Sequence, residues 1–356
     1  MTELRPVAAR REIRAIQVLR GVAAMMVVWH HAAGQIAGMS TWVPWQFGTS
    51  GVDLFFVISG FIMVVTTRSG KVSPFDFWRR RIVRVVPLYW VLTLSMVAVA
   101  FAMPSLFRTL QVTPITLLQS LFFVPHFSRS FAGQVWPLLV PGWTLNFEMF
   151  FYAVFGAALF LPGRARLPAL TAGLLALFLI GAIFGPFASA PAQTYTHPML
   201  LEFVAGAWIA TLWLYGRLRL SAAASIAMVV LGGALLVMRD QQPLGYVNQI
   251  VGAALMVAGT VNPRFDRWKF KFWQAVGDSS YSLYLTHLFT LGVLRSVWTR
   301  LIPAPPDAGT TAVFMVVALG VCAWAGWCTY RVIELPLLRR LQTPRRPAGR
   351  SAPAAP

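Results

Sequence analysis

Charge is scarce in this 356-residue chain, and cysteine is nearly absent. Only 12% of the residues are charged against 57% hydrophobic, and the mean hydropathy is +0.65. That balance excludes both a soluble globular domain and a disordered chain. The two cysteines, Cys322 and Cys328, fall in the last apolar run on different helix faces. An intrahelical disulfide is therefore excluded, and they read as small packing residues. Five histidines stand without cysteine or carboxylate at ligand spacing, which leaves no metal site. There is no Gly-rich P-loop, no dinucleotide fingerprint and no Gly-x-Ser-x-Gly elbow. Acidic residues number 11 against 30 Lys and Arg, for a net charge of +19. Gathered in one basic domain, that charge would point to nucleic acid. Here it is spread through short segments between apolar runs, so nucleic acid is excluded as a partner.

What the chain has instead is apolar runs from end to end. They predict an all-α fold, a polytopic membrane helix bundle of about ten transmembrane helices. The spans fall near 15–37, 50–67, 85–103, 142–161, 167–185, 199–215, 220–238, 244–262, 279–300 and 310–332. With the N-terminus in the cytoplasm, 25 of the 30 Lys and Arg lie on the inner side. That split predicts two cytoplasmic termini. The first span reads as a retained anchor rather than a cleaved signal, although basic residues precede it. Residues 104–141 carry five prolines and are expected to lie in the interface or dip back into the bundle. Residues 1–340 read as a single transmembrane domain, and 341–356 as a disordered cytoplasmic tail.

Five stretches carry candidate chemistry. Arg20 and His31 lie inside the first span, eleven residues apart, which is three turns plus about 20°. They share a face, so a cation for an anionic ligand is aligned with a group that moves protons. The competing reading is a histidine hydrogen-bonded inside the bundle without chemistry. His30 sits about 80° off that face. Asp53, in Gly51-Val-Asp53-Leu-Phe-Phe, either orients a histidine or stabilises a helix N-terminus. Arg79, Arg80, Arg81 and Arg84 form a basic motif in which Arg81 and Arg84 share a helix face. Guanidiniums suit phosphates, but a basic loop also anchors against anionic lipid. Glu148 lies one turn from Thr144 and Tyr152 in an aromatic-rich span and needs a partner from another helix. His287 ends a run of hydroxyl residues, Ser279 to Thr286, and reads equally as packing or as function.

Taken in order, the motifs resemble the acyltransferase-3 family of integral membrane acyltransferases over residues 10–340. They are Arg20-Gly-Val-Ala-Ala with His31, Gly51-Val-Asp53-Leu-Phe-Phe with Ser59-Gly-Phe, and Arg80-Arg81-x-x-Arg84-x-x-Pro87-x-Tyr89. Trp143-Thr-Leu-x-x-Glu148-x-x-Phe-Tyr152 and Ser280-Tyr-Ser-Leu-Tyr-Leu-x-His287 complete the set. Within the family, the exopolysaccharide-modifying bacterial members are the nearest likeness. The resemblance implies transfer of an acyl group, commonly acetyl, from cytosolic acyl-CoA to hydroxyls of cell-surface or exported carbohydrate. It implies residence in the bacterial cytoplasmic membrane, among membrane lipids, with no tightly bound cofactor. The acceptor is then a carbohydrate or a lipid-linked saccharide.

The family's membrane Arg and His map onto Arg20 and His31, and its basic motif onto Arg80, Arg81 and Arg84. Coenzyme A is a polyanion, so the basic cluster becomes its dock, with Arg20 extending the positive path. His31 is then general base on the acceptor hydroxyl, with Asp53 or Glu148 orienting it. Some members carry a C-terminal extracytoplasmic SGNH-type domain. None is expected here, which leaves acceptor handling to the bundle or a partner. Two other classes stay open: a secondary transporter, which also uses intramembrane ionisable groups, and a non-enzymatic export subunit.

Overall fold

The computed structural model describes residues 13–106, 109–238, 245–265 and 270–342. Among these residues the chain is helical, with no strand. The terminal residues, including most of the predicted tail and the basic N-terminus, lie outside the described residues. So do Arg108, Arg239, Arg267 and Lys269 from the charge count.

Every predicted span coincides with a helix. They are α1 (Arg14–Ala33), α2 (Gly51–Thr67), α3 (Pro74–Ala102), α5 (Trp143–Ala158), α6 (Gly163–Phe184), α8 (Leu200–Leu214), α9 (Ala222–Val237), α10 (Gly245–Thr260), α12 (Ser280–Leu301) and α13 (Ala308–Thr329). Short helices α4 (Pro114–Leu121), α7 (Ala190–Tyr195), α11 (Lys271–Asp278) and α14 (Leu335–Gln342) fill the connections. Five helical stretches are long and apolar enough to cross a membrane: 46–67, 74–102, 163–184, 190–214 and 308–342. Helices α1 and α12, which carry Arg20, His31, Ser280 and His287, are not among them. They are instead wrapped by others: α1 packs against α2, α10, α11, α12 and α13. By contrast α6 buries only Leu170 and Leu174, as suits an apolar helix on the rim.

Three boundaries differ from the sequence expectation. The third helix starts at Pro74 rather than 85, so the basic motif lies inside it, with Arg81 and Arg84 one helical turn apart. The cause is local: the Ser73 side chain accepts from Asp76 N at 3.0 Å, and Pro74 sits at the first position. The first helix stops at Ala33, and 3-10 turns at 39–41 and 46–50 lead into α2. Leu341 and Gln342, expected in the tail, end α14. The segment 104–141 does fold back: the Phe123 ring packs 4.9 Å from Tyr89, and Trp90 donates to the Leu121 carbonyl at 2.8 Å.

Two close helix contacts fix the frame. On α2 and α8, a Cβ added at Gly60 would strike the Phe203 carbonyl, and one at Gly206 the Val57 carbonyl. Small residues are what allow such backbone contact between apolar helices. Gly206→Val is expected to lower stability by about 3 kcal/mol through overpacking, seen as a lower melting temperature in detergent. A melting temperature equal to wild type would show that the two helices move apart freely. On α1 and α11, Gly277 lies against the Gln17 carbonyl and Gly21 against Trp273 and Gly277. This second contact brings the start of α12 beside Arg20.

Candidate functional site

α1 and α12 run side by side in the same direction. Arg20 Nη2 donates to Ser280 Oγ at 2.9 Å, and Arg20 Nη1 donates to Gln17 Oε1 at 2.9 Å. Gln17 in turn donates to Asp278 Oδ1 at 2.7 Å. Three turns further along α1, the His31 ring meets the His287 ring, centroids 4.9 Å apart. Arg20 and His31 therefore both face α12, as their spacing predicts. The His30 ring lies between the rings of Trp45 and His31, with centroids 4.9 Å from each.

Arg84 is held from two sides. It forms an ion pair with Glu334, whose other oxygen accepts from Ser282 Oγ at 2.5 Å. Its guanidinium carbon lies 5.4 Å over the Tyr281 ring, and Tyr281 OH donates to the Val85 carbonyl at 2.7 Å. Glu334 is buried and ends a π-helical turn, Tyr330–Glu334, between α13 and α14. Such wide turns are favoured where a proline withdraws a hydrogen bond, here Pro336. Glu334 lies two residues beyond the last span expected from the sequence, which ends at 332. The signal was there: a lone carboxylate just past an apolar run.

One cavity of about 710 Å³ gathers much of this. Its basic end is lined by Arg79, Arg80, Arg81, Arg84 and the α14 residues Leu341 and Gln342, with Arg20 beside them. Arg81 lies 5.7 Å over the Phe77 ring, and its Nε has no hydrogen-bond partner. The wall between α2 and α5 carries Glu148, which accepts from Ser59 Oγ at 3.1 Å and from Tyr152 OH. The far end reaches Val52 and Thr144, the second residues of α2 and α5. Thr144 Oγ1 donates to Tyr284 OH at 2.9 Å.

The predicted site residues thus divide. Arg20, Arg80, Arg81, Arg84 and Glu148 share the cavity, whereas His31 and Asp53 are not among its described lining residues. Asp53 is buried in the first turn of α2. Glu148 is occupied by Ser59 and Tyr152, and the His31 Nδ1 is held by the Val27 carbonyl of its own helix at 3.0 Å. The imidazole is therefore oriented by a backbone oxygen, where the sequence reading expects Asp53 or Glu148. Rings separate His31 from the cavity: Phe55 and Tyr284, both in its wall, lie 5.9 Å apart, and Tyr284 lies 5.9 Å from His287. Both cysteines are free, and among the described residues no three His, Cys, Asp or Glu side chains gather as a metal site.

Comparisons with known proteins find a matching family model and several relatives. A family model described as an acyltransferase domain (Acyl_transf_3) matches residues 13–329. The chain is 40% identical over 311 residues to the exopolysaccharide production protein ExoZ of Rhizobium meliloti, covering 86% of this chain and 95% of that one. It is 27% identical over 353 residues to the acyltransferase MdmB of Streptomyces mycarofaciens, covering 86% and 84%. The peptidoglycan O-acetyltransferase OatA of Listeria monocytogenes is 23% identical over 315 residues, covering 78% of this chain and 49% of its own. No solved structure matches the chain.

Proposed function

The chain belongs to the acyltransferase-3 family, and from that premise we propose that it moves an acyl group, acetyl in the first instance, from acyl-CoA to a carbohydrate hydroxyl. The observation that carries this reading is the cavity: a ligand-sized chamber with guanidiniums crowded at one end and a hydrogen-bonded carboxylate in its wall. Arg80, Arg81 and Arg84 hold the donor's phosphates by charge-assisted bonds, and Arg20 extends the positive path inward. The thioester then lies toward Phe55 and Tyr284. The acyl group meets His31 when the Tyr284 ring turns aside.

His31 acts as general base. With Nδ1–H donated to Val27, its Nε2 is the acceptor atom that takes the proton of the hydroxyl. The acceptor oxygen bonds to the acyl carbon, the C–S bond breaks, and the thiolate recovers the proton. Direct transfer is preferred over an acyl-histidine because no second nucleophile is apparent. In this reading the chain crosses a bacterial membrane ten times with both termini in the cytoplasm, which would put the basic end where acyl-CoA is made and His31 nearer the exported glycan. The relatives named for exopolysaccharide production and peptidoglycan O-acetylation support a polysaccharide or its lipid-linked precursor as acceptor.

The test uses purified protein in nanodiscs, radiolabelled acetyl-CoA and extracted surface glycan. Label is expected on the carbohydrate. Arg81→Ala is expected to raise the donor KM about tenfold with kcat little changed, the loss of one charge-assisted contact. If wild-type protein neither transfers label nor binds any acyl-CoA, the reading fails and solute transport takes its place.

A further inference from the structure

The chamber wall holds one group that the transfer step leaves unused. Glu148, on α5, accepts from Ser59 Oγ at 3.1 Å and from Tyr152 OH, and both bonds arrive at Oε1. A carboxylate offers about four acceptor sites divided between its two oxygens. Oε2 has no hydrogen-bond partner among the described residues, and no Lys or Arg among them forms an ion pair with Glu148. The cations nearby are engaged elsewhere: Arg84 by Glu334, and Arg20 by Gln17 and Ser280. A bridge between α2 and α5 alone would need only a neutral acceptor such as glutamine. A carboxylate beside Phe56, Ile62 and Met63 in a chamber wall, with one oxygen open, is costly unless a donor comes to it.

Its level in the chamber says which donor. On α2, Ser59 is one turn from Phe55; on α5, Glu148 is one turn from Thr144, which bonds to Tyr284. Glu148 therefore lies about 6 Å from the level of the Phe55 and Tyr284 rings. It lies on the side of Tyr152, whose carbonyl accepts from Trp78 at 3.0 Å, next to the basic motif of α3. An acyl-CoA that reaches the rings from the basic end lays its pantetheine arm past this carboxylate. The arm is uncharged, and its amide N–H groups are donors. The nearer amide nitrogen is separated from the thioester sulfur by two methylenes, about 4 Å along the arm. With the sulfur near the rings, that N–H comes level with Oε2.

We propose that Glu148 is a donor-binding residue: its Oε2 accepts the N–H of the amide nearest the thioester and so fixes how deep the thioester sits. This rests on the acyl-CoA reading above. Ser59 and Tyr152 hold the carboxylate by its other oxygen, so the open oxygen is in place before the donor arrives. The contact also adds a second criterion to the site. The guanidiniums accept any ligand with phosphates, a plain nucleoside diphosphate included. Glu148 is satisfied only when an amide-bearing arm follows the phosphates into the chamber, and a ligand without one leaves the carboxylate unpaired.

The test uses two donors: acetyl-CoA, and an analogue in which oxygen replaces the N–H of that amide. Both are given to the protein in nanodiscs with glycan, and the ratio of their kcat/KM values is taken within each protein. A ratio within one protein cancels any change in the amount of active enzyme. Wild type is expected to prefer the amide donor by about twentyfold, the loss of a hydrogen bond to a charged group. In Glu148→Ala the preference is expected to fall to about twofold or less, because the two changes remove the same contact. Glu148→Gln, which accepts through a neutral oxygen, is expected to fall between, at about fivefold. A wild-type preference below about threefold, or a wild-type preference kept in Glu148→Ala, would overturn the proposal. Should Glu148→Ala not fold, the ratio in Glu148→Gln decides, and an undiminished preference there overturns it. If wild-type protein transfers equally from both donors, this inference alone is lost. If it transfers from neither, the underlying reading is.

Discussion

His31→Ala is expected to reduce acyl transfer by roughly 10³-fold or more while leaving the protein inserted and folded. General-base removal costs about 10²–10⁴ in rate where the base acts on the attacking hydroxyl. The structural cost is small for two reasons. His31 lies in the last turn of α1, and its side chain donates to the Val27 carbonyl one turn back in the same helix. Alanine is also the best helix former, so the turn persists without it. The measurement is single-turnover transfer of label from acetyl-CoA, with the melting temperature of each protein alongside. Undiminished transfer with an unchanged melting temperature would remove His31 from the chemistry and leave the cavity without a base.

The second large effect is expected at Glu334, which no functional motif contains. Glu334→Ala takes away the carboxylate that Arg84 and Ser282 share. Arg84 would then stand in a cavity wall with Arg20 and Arg81 and no compensating charge from α14's root. Breaking a buried pair by removing one partner costs about 3–5 kcal/mol. The Arg84 side chain is 27% exposed, which places the expected loss near the low end, about 3 kcal/mol. The donor KM is expected to rise about tenfold because a freed guanidinium no longer waits in place for a phosphate. Glu334→Gln, which still accepts hydrogen bonds, is expected to show the smaller effect on both. Thermal unfolding and donor titration read the two quantities separately. Tighter donor binding in Glu334→Ala would mean that Glu334 competes with the phosphates for Arg84 and does not prepare it.

These two residues also mark how far the sequence is legible. The face shared by Arg20 and His31 follows from helix geometry alone, and α12 does meet both side chains on that face. The apolar runs locate the helices because burial or lipid selects them residue by residue. Their ends are harder. The start of α3 was hidden by Arg79 to Arg84, which terminate an apolar run without terminating a helix, although Ser73-Pro74 is a readable helix start. The pairing of Arg84 with Glu334 joins residues 250 apart in the chain, and no local pattern specifies it. The separation of His31 from the cavity is likewise a product of three helices meeting, since Phe55, Tyr284 and His31 come from α2, α12 and α1. Helix periodicity puts Arg20 and His31 on one face, and no periodicity within α1 specifies the rings that α2 and α12 bring to the cavity wall.

Those rings have a consequence for the cell that holds the protein. A chamber lined by arginines at one end and continuous to the other face would be an anion leak, and it would drain the potential across the membrane that houses it. Phe55 and Tyr284 close the chamber short of His31, with Thr144 tethering the tyrosine hydroxyl. Apolar constrictions of this kind stop ions by excluding their water. For the proposed acyl-CoA donor, the small, uncharged acyl group would be the one part that such a seal admits, while the nucleotide and its phosphates would stay behind with the arginines.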